Sequence, residues 1–404
     1  MSRTDIVFYM HVHQPYRVKH YSVFEAGRDH CYFNDESDQA STNNKYILDK
    51  VSDKSYIPTN RVLMHLLETH PEFRFSLSIS GVLLDQLEVW RPDVLKSFQE
   101  LVATGRVEII GETYYHSLAF FYDSEEFESQ VNQHSETVER LLNYKPHSFR
   151  NTELSYNNDL GKWCDEQGYD AVITEGWDPI LGWRSPNYVY KPVGAKNTKL
   201  LVKNYRLSDD IAFRFGNREW SGWPMTAEKF THWIHESTED ADIVNLFMDY
   251  ETFGEHQWID TGIFEFLKYL PSKWMINDSY GFKTISEAAK ECQAQDELDM
   301  PYTVTWADTE RDLTAWTGNA MQTEALRGLY DLKKLVLSTK DVDIIRDWRK
   351  LQTSDHFYYM CTKWWNDGDV HAYFSPYNSP YEAQMNFMNA LLDLKTRLAN
   401  KGIS

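Results

Sequence analysis

The chain has 404 residues, 42% of them apolar, and a formal net charge of −20. That length suits one large α/β domain with a smaller one beside it, and the composition allows a packed core. The acidic balance repels phosphate backbones and excludes nucleic acid as an expected partner, and no apolar run is long enough to span a membrane.

The N-terminal stretch MSRTDIVFYMHVHQPYR has only a short apolar patch before His11 and His13, without the features of a signal peptide. Cys31, Cys164, Cys292 and Cys361 lie far apart with no CxxC, as expected of reduced thiols in a cytoplasmic protein. Oligomeric state is not legible.

In chain order, β-branched and aromatic content predicts seven strands, at 5–12, 73–80, 106–113, 147–154, 169–176, 200–207 and 243–251. Several are nearly continuous apolar runs, as in strands buried on both faces. Helical spacing falls between most of them, at 61–70, 81–105 (with Pro92 early in a second helix), 125–144, 159–168 and 227–238. This rhythm predicts βα units and a parallel sheet. Residues 177–199 have no helical period and are expected to form a long loop or hairpin. After about residue 285 the strand pattern gives way to helical spacing. The expected organisation is a catalytic domain over 1–285 and a helical domain over 286–404. The aromatic stretch KWWNDGDVHAYFSPYNSPYEA (363–383) packs that domain or lines a cleft; the sequence favours neither.

The polar residues collect at the C-terminal ends of these strands: His11, His13 and Gln14; Glu112 with His116; Glu153; Glu175; Asp209 and Asp210; Asp249 and Glu251. Active sites of βα barrels are built on that face, from several strand ends. Alternation along 243–251 puts Asp249 and Glu251 on one face. Glu255 and His256, beyond Gly254, are rim residues or ordinary loop. GxSxG, Walker A, GxGxxG and HExxH are absent. Paired carboxylates remain, and glycosidic bond cleavage needs two: one to attack or activate, one to protonate the leaving oxygen.

Four segments, HVHQPYR (11–17), VEIIGETYYHSL (107–118), FRNTELSYNNDLGKW (149–163) and FMDYETFGEHQW (247–258), resemble conserved regions of the family-57 glycoside hydrolases, most closely the alpha-amylase branch. A fifth, TWADTERDLTAWTGNAMQ (305–322), is similar to that family's region near the start of its helical domain. The resemblance implies a seven-stranded (β/α)7 barrel followed by a helical bundle, and a retaining mechanism on α-glucans without a cofactor or metal. It implies Glu153 as nucleophile and Asp249 as acid/base. His13, Glu112, Glu251 and Asp308 match positions near the bound sugar; strand parity sets His11 beside them, and Trp306, adjoining Asp308, is the tryptophan expected to stack on the sugar. The chain is shorter than the larger relatives. It also carries GETYYHSL where the family's second region often has Gly-Gly and Tyr-Glu-Pro, so subsite details do not transfer.

In such a mechanism Glu153 starts ionised and Asp249 protonated, which calls for a raised Asp249 pKa, and the two carboxyl groups lie roughly 5–5.5 Å apart. Water or a sugar hydroxyl as the second acceptor makes the enzyme a hydrolase or a 4-alpha-glucanotransferase. Two other classes compete. His11, His13, His116, Glu112 and Asp249 could supply the ligands of a metal-dependent polysaccharide deacetylase. Trp177, Trp183, Trp220, Trp223 and Trp306 could be stacking platforms of a non-catalytic glycan binder, although tryptophan more often packs in cores.

Overall fold

In the computed structural model, residues 3–238, 241–363 and 370–403 are described; residues 364–369 of the aromatic 363–383 stretch lie outside them. Ten strands occur among the described residues: β1 (Thr4–Val12), β2 (Phe75–Ile79), β3 (Val107–Ile109), β4 (Ser148–Arg150), β5 (Ala171–Glu175), β6 (Lys191–Pro192), β7 (Lys199–Lys203), β8 (Ile243–Asp249), β9 (Tyr280–Lys283) and β10 (Glu297–Leu298). One sheet runs β3–β2–β1–β8 with β9 also on β1, a second runs β4–β5–β7, and β6 pairs with β10. Every ladder is parallel. The result is a curled parallel half barrel clothed in helices.

The ladders do not form one continuous ring of seven. β3 and β4 are three residues each, and they meet through a single bridge between Gly111 and Phe149. β7 meets β8 through one backbone bond, from the Asn204 N–H to the Asn245 carbonyl at 3.0 Å. All seven predicted strands exist, but most are shorter than expected. The second half of 200–207 is a helix (Tyr205–Asp209), and 243–251 turns into a 3₁₀ segment at Tyr250–Thr252. β9 was not predicted, since four residues give little alternation to read.

Side-chain alternation sorts the strands onto two cores. Ile6, Phe8, Met10 and Val12 of β1, with Val244, Leu246 and Met248 of β8, pack outward against helices such as Ile57–Thr69 and Ile263–Trp274. Val7, Tyr9 and Phe247 face inward, where they meet Ile173, Leu201 and the helix Ile285–Glu291. His11 and Asp249, paired across β1 and β8, continue that inward set at its C-terminal end.

Residues 177–199 hold a short helix (Asp178–Leu181), β6 and an antiparallel bridge from Tyr190 to Leu200, close to the expected loop or hairpin. The C-terminal helices, among them Ala320–Tyr330, Val342–Lys350 and Pro380–Asn400, share a third core with Phe149, Val172 and Leu200 on the outer face of the second sheet. Helical spacing through 342–358 hides a break. The helix Val342–Lys350 stops, Thr353 forms an antiparallel bridge to Ser117, and the Ser354 N–H bonds the His116 carbonyl at 2.9 Å. The break carries Ser354 and Asp355 to the strand ends.

Candidate active site

Glu153 follows β4 in a 3₁₀ turn with φ +60°, a left-handed conformation that a glutamate adopts only when its surroundings over-determine it. Three donors do so. His116 Nε2 reaches Oε1 at 3.1 Å, Ser354 Oγ reaches Oε1 at 3.2 Å, and the Trp306 indole N–H reaches Oε2 at 2.8 Å. Burial opposes ionisation of Glu153, but the hydrogen bond and charge of His116 hold its pKa below the usual value.

His116 is itself at φ +50° and bridges two carboxylates, with Nδ1 3.4 Å from Glu112 Oε2. Burial alone would make it neutral, yet its bonds to Glu112 and Glu153 raise its pKa to about 9, so an imidazolium sits between them. Glu112 is fully buried. Its pKa is nevertheless lowered, because the His116 bond and the Arg150 charge overcome desolvation.

Asp249 is treated differently. No hydrogen bond to its side chain is found among the described residues, and burial, followed by the Glu153 charge, raises its pKa to about 6. The charges of Arg150, Lys203 and His116 restrain the rise. Glu251 reaches the site through the 3₁₀ turn rather than by the alternation read from the sequence. Its Oε1 accepts from the Tyr56 hydroxyl and, at 3.2 Å, from the His13 N–H. Burial and the Asp249 charge raise the Glu251 pKa to about 8.

The rings of His11, His13 and His116 stack with centroids 4.1–5.6 Å apart. Their nitrogens come within 4.8 Å of one another, the juxtaposition a metal site would need. Each nitrogen already has a partner. Arg150 Nη1 donates to His11 Nε2 at 3.0 Å, which leaves Nδ1 to donate to Ser78 at 2.8 Å. His13 bonds Ser80 at 2.7 Å and Asp355 at 3.0 Å, and His116 bonds the two glutamates. A cation here would face the guanidinium of Arg150 and the His116 imidazolium at close range, so the donor set suits a divalent metal poorly.

The remaining predicted residues divide. Trp306 joins the cluster, and its ring lies 5.5 Å from both Arg150 and Lys203. Glu175 and Asp209 share Lys203, at 3.6 and 3.0 Å. Asp210 pairs with Arg214 at 2.6 Å, and Gln14 with Arg17 at 2.9 Å. Asp308 is turned to the helical region, bonded to His371 at 2.9 Å and Lys363 at 3.2 Å. Glu255 is paired with Lys50 and Lys54. Trp177 and Trp220 pack against the cores, while Trp183 and Trp223 are exposed.

Three contributors were not singled out in the sequence. Ser354 stands 201 residues from its partner Glu153 and Asp355 342 residues from its partner His13, both inside helical spacing. Arg150 had a visible signal: an arginine inside a predicted buried strand, next to the nucleophile candidate. It is completely buried, and its Nε and Nη2 have no hydrogen-bond partner among the described residues.

The comparisons fit this geometry. The sequence model of Glycosyl hydrolase family 57 matches residues 7–301. A Methanocaldococcus jannaschii protein, named provisionally as an alpha-amylase, is 38% identical over 96% of this chain and 84% of its own length. Among solved structures, a family-57 branching enzyme of Thermococcus kodakaraensis superposes with TM-score 0.68 at 13% identity, covering 92% of this chain and 88% of that one. The alpha-amylase AmyC of Thermotoga maritima gives 0.64 at 14% identity over 100% and 95% of the two chains. The 4-alpha-glucanotransferase of Thermococcus litoralis gives 0.65 at 17% identity over 88% of this chain and 56% of that one. At these identities the structural likeness speaks for the fold, and the family match over most of the chain carries the assignment. The chain belongs to glycosyl hydrolase family 57.

Proposed function

We propose that the chain is a retaining glycoside hydrolase acting on α-1,4-glucans or maltooligosaccharides, with Glu153 as nucleophile and Asp249 as acid/base. The observation that carries this reading is the opposite treatment of two half-buried carboxyl groups. Glu153 is held ionised by His116, Ser354 and Trp306, while Asp249 has no hydrogen-bond donor among the described residues and keeps its proton up to about pH 6. Two titratable groups pushed apart in this way supply an attacking carboxylate and a proton donor at one pH. The names of the relatives, alpha-amylase and 4-alpha-glucanotransferase, support α-glucan as the substrate class.

Glu153 attacks the anomeric carbon as Asp249 protonates the departing oxygen. Asp249, now a carboxylate, then takes a proton from the incoming water as the glycosyl–Glu153 ester is cleaved. If a sugar hydroxyl replaces that water, the same two residues make the enzyme a glucanotransferase. His11, His13, Glu112 and Glu251 border the sugar site in this reading, with Trp306 orienting the nucleophile. Asp308 has the weakest support, since it faces His371 and Lys363. We read the two curled sheets as one (β/α)7 barrel over 1–285, joined at Gly111–Phe149 and Asn204–Asn245, with the helical region 286–404 docked on it.

Incubation with maltoheptaose beside the Glu153→Gln and Asp249→Asn variants tests the reading. Shorter oligosaccharides from the wild type alone are the expected result. Longer products beside shorter ones make it a transferase. An unchanged substrate in every sample removes the maltooligosaccharide claim.

A further inference from the structure

The segment after Asp249 and Glu251 folds into a tight loop, with Phe253 bridged to Gln257 and the Gly254 N–H bonded to the Gln257 carbonyl at 2.9 Å. The backbone N–H of His256 bonds the Glu251 carbonyl at 2.9 Å, so the main chain at His256 is tied to that of the acid-bearing segment. Aromatic rings from a distant part of the chain rest on it. The Phe374 centroid is 5.5 Å from the His256 ring and the Tyr373 centroid 6.3 Å. On the other side of Glu255, Lys54 lies 4.4 Å over the Trp258 ring and 3.2 Å from the Glu255 carboxylate. Trp258, Glu255, His256, Tyr373 and Phe374 therefore form one contiguous patch.

Trp258 is 57% exposed, Tyr373 63% and Phe374 38%. Large aromatic faces left open next to a polar site are costly in water unless something covers them. Polar partners are supplied along the edge by Glu255, Lys54 and Lys50. Ring faces beside fixed polar groups suit a sugar, whose C–H face stacks on the ring while its hydroxyls meet the charged edge. The position selects which sugar. An acid/base protonates the oxygen of the leaving group, so the leaving segment, and later the acceptor, lie on the acid/base side. This patch grows from the segment that carries Asp249, whereas Trp306 belongs to the nucleophile.

We propose that Trp258, Tyr373 and Phe374, set around His256, form the subsite that holds the leaving and acceptor glucosyl units of an α-glucan. The proposal rests on the function proposed above. It makes residues 370–374 and the 253–258 loop determinants of chain-length preference and of the balance between hydrolysis and transfer. Tyr373 and Phe374 come from the helical region, so that region contributes directly to specificity.

The test compares two donors. α-Maltotriosyl fluoride needs no sugar on the leaving side and no proton for its fluoride; maltoheptaose needs both. Trp258→Ala, Tyr373→Ala and Phe374→Ala are expected to lower kcat/KM on maltoheptaose roughly three- to tenfold each, while fluoride release stays at the wild-type rate. The unchanged fluoride rate also shows that each variant folds. The share of longer transfer products from maltoheptaose should fall in the same variants. Wild-type rates on both donors in all three variants overturn the subsite. Equal losses on both donors also overturn it, because the segment is then only structural. A wild type inactive on both donors instead overturns the proposed function.

Discussion

Glu153 and Asp249 sit at the ends of β4 and β8, both half-buried and both beside positive charge, yet their surroundings differ in kind. Glu153 accepts three hydrogen bonds, two of them from side chains of the C-terminal half, Trp306 and Ser354. Asp249 accepts none among the described residues and shares its environment with ionised Glu153. A carboxylate that must attack benefits from a fixed geometry and a favoured charge. A carboxyl group that must donate, and later accept, a proton benefits from a pKa near the working pH and a free oxygen. The contrast is therefore one of hydrogen-bond donors more than of burial.

Removing donors from the first group should blur the contrast most. Trp306→Phe keeps the ring but deletes the N–H on Oε2, and is expected to lower kcat/KM by roughly ten- to a hundredfold. It should also move the acidic limb of the pH profile upward, because Glu153 loses a bond to its charged form. A pH profile with an unmoved acidic limb would separate Glu153 from that limb.

Arg150→Met attacks the second group. The guanidinium lowers the Asp249 pKa, so its loss should raise that pKa and carry the alkaline limb, expected near pH 6 in the wild type, to higher pH. A fewfold loss of activity should accompany the shift, because His11 loses the donor at Nε2. Arg150→Lys keeps the charge and should return the limb toward the wild-type position. A merely structural arginine would lower activity without moving the limb.

Glu251 sharpens the comparison through stability. Its pKa rises from 4.5 in the unfolded chain to about 8 in the folded one. Between those values the unfolded chain has released this proton and the folded chain retains it, so stability falls as pH rises across the window. Glu251→Gln removes that slope, and the Tm of the variant should gain a few degrees on the wild type between pH 5 and pH 8. Thermal melts at several pH values measure it; parallel curves would show that Glu251 is ionised in the fold. The smallest effect is expected from chelation. With every ring nitrogen of His11, His13 and His116 already partnered, EDTA should leave the rate unchanged, and loss of activity restored by zinc would revive the deacetylase chemistry.

Much of this site was legible because strand alternation and strand ends are local properties. The inward set Val7, Tyr9, His11 and the pair Phe247, Asp249 follow directly from period two. The same rule does not account for Glu251, which reaches the site because β8 ends at Asp249 and a 3₁₀ turn takes over. It also lengthened β3 and β4, whose flanking residues bend away to form the His116 and Glu153 turns. No sequence rule signals a left-handed glutamate, since its conformation is held by tertiary donors. Ser354 and Asp355 were hidden for a related reason: the break after Lys350 is set by Ser117 and His116, far away in the chain.

The most direct test of the central claim is the mass of a trapped intermediate. With Asp249→Asn and α-maltotriosyl fluoride, attack by Glu153 needs no proton donor, while the second step lacks its base, so the glycosyl-enzyme should accumulate. A mass increase of one maltotriosyl group, mapped by peptide digestion to Glu153, is the expected result. Fluoride release without any adduct, or an adduct on another residue, would contradict it.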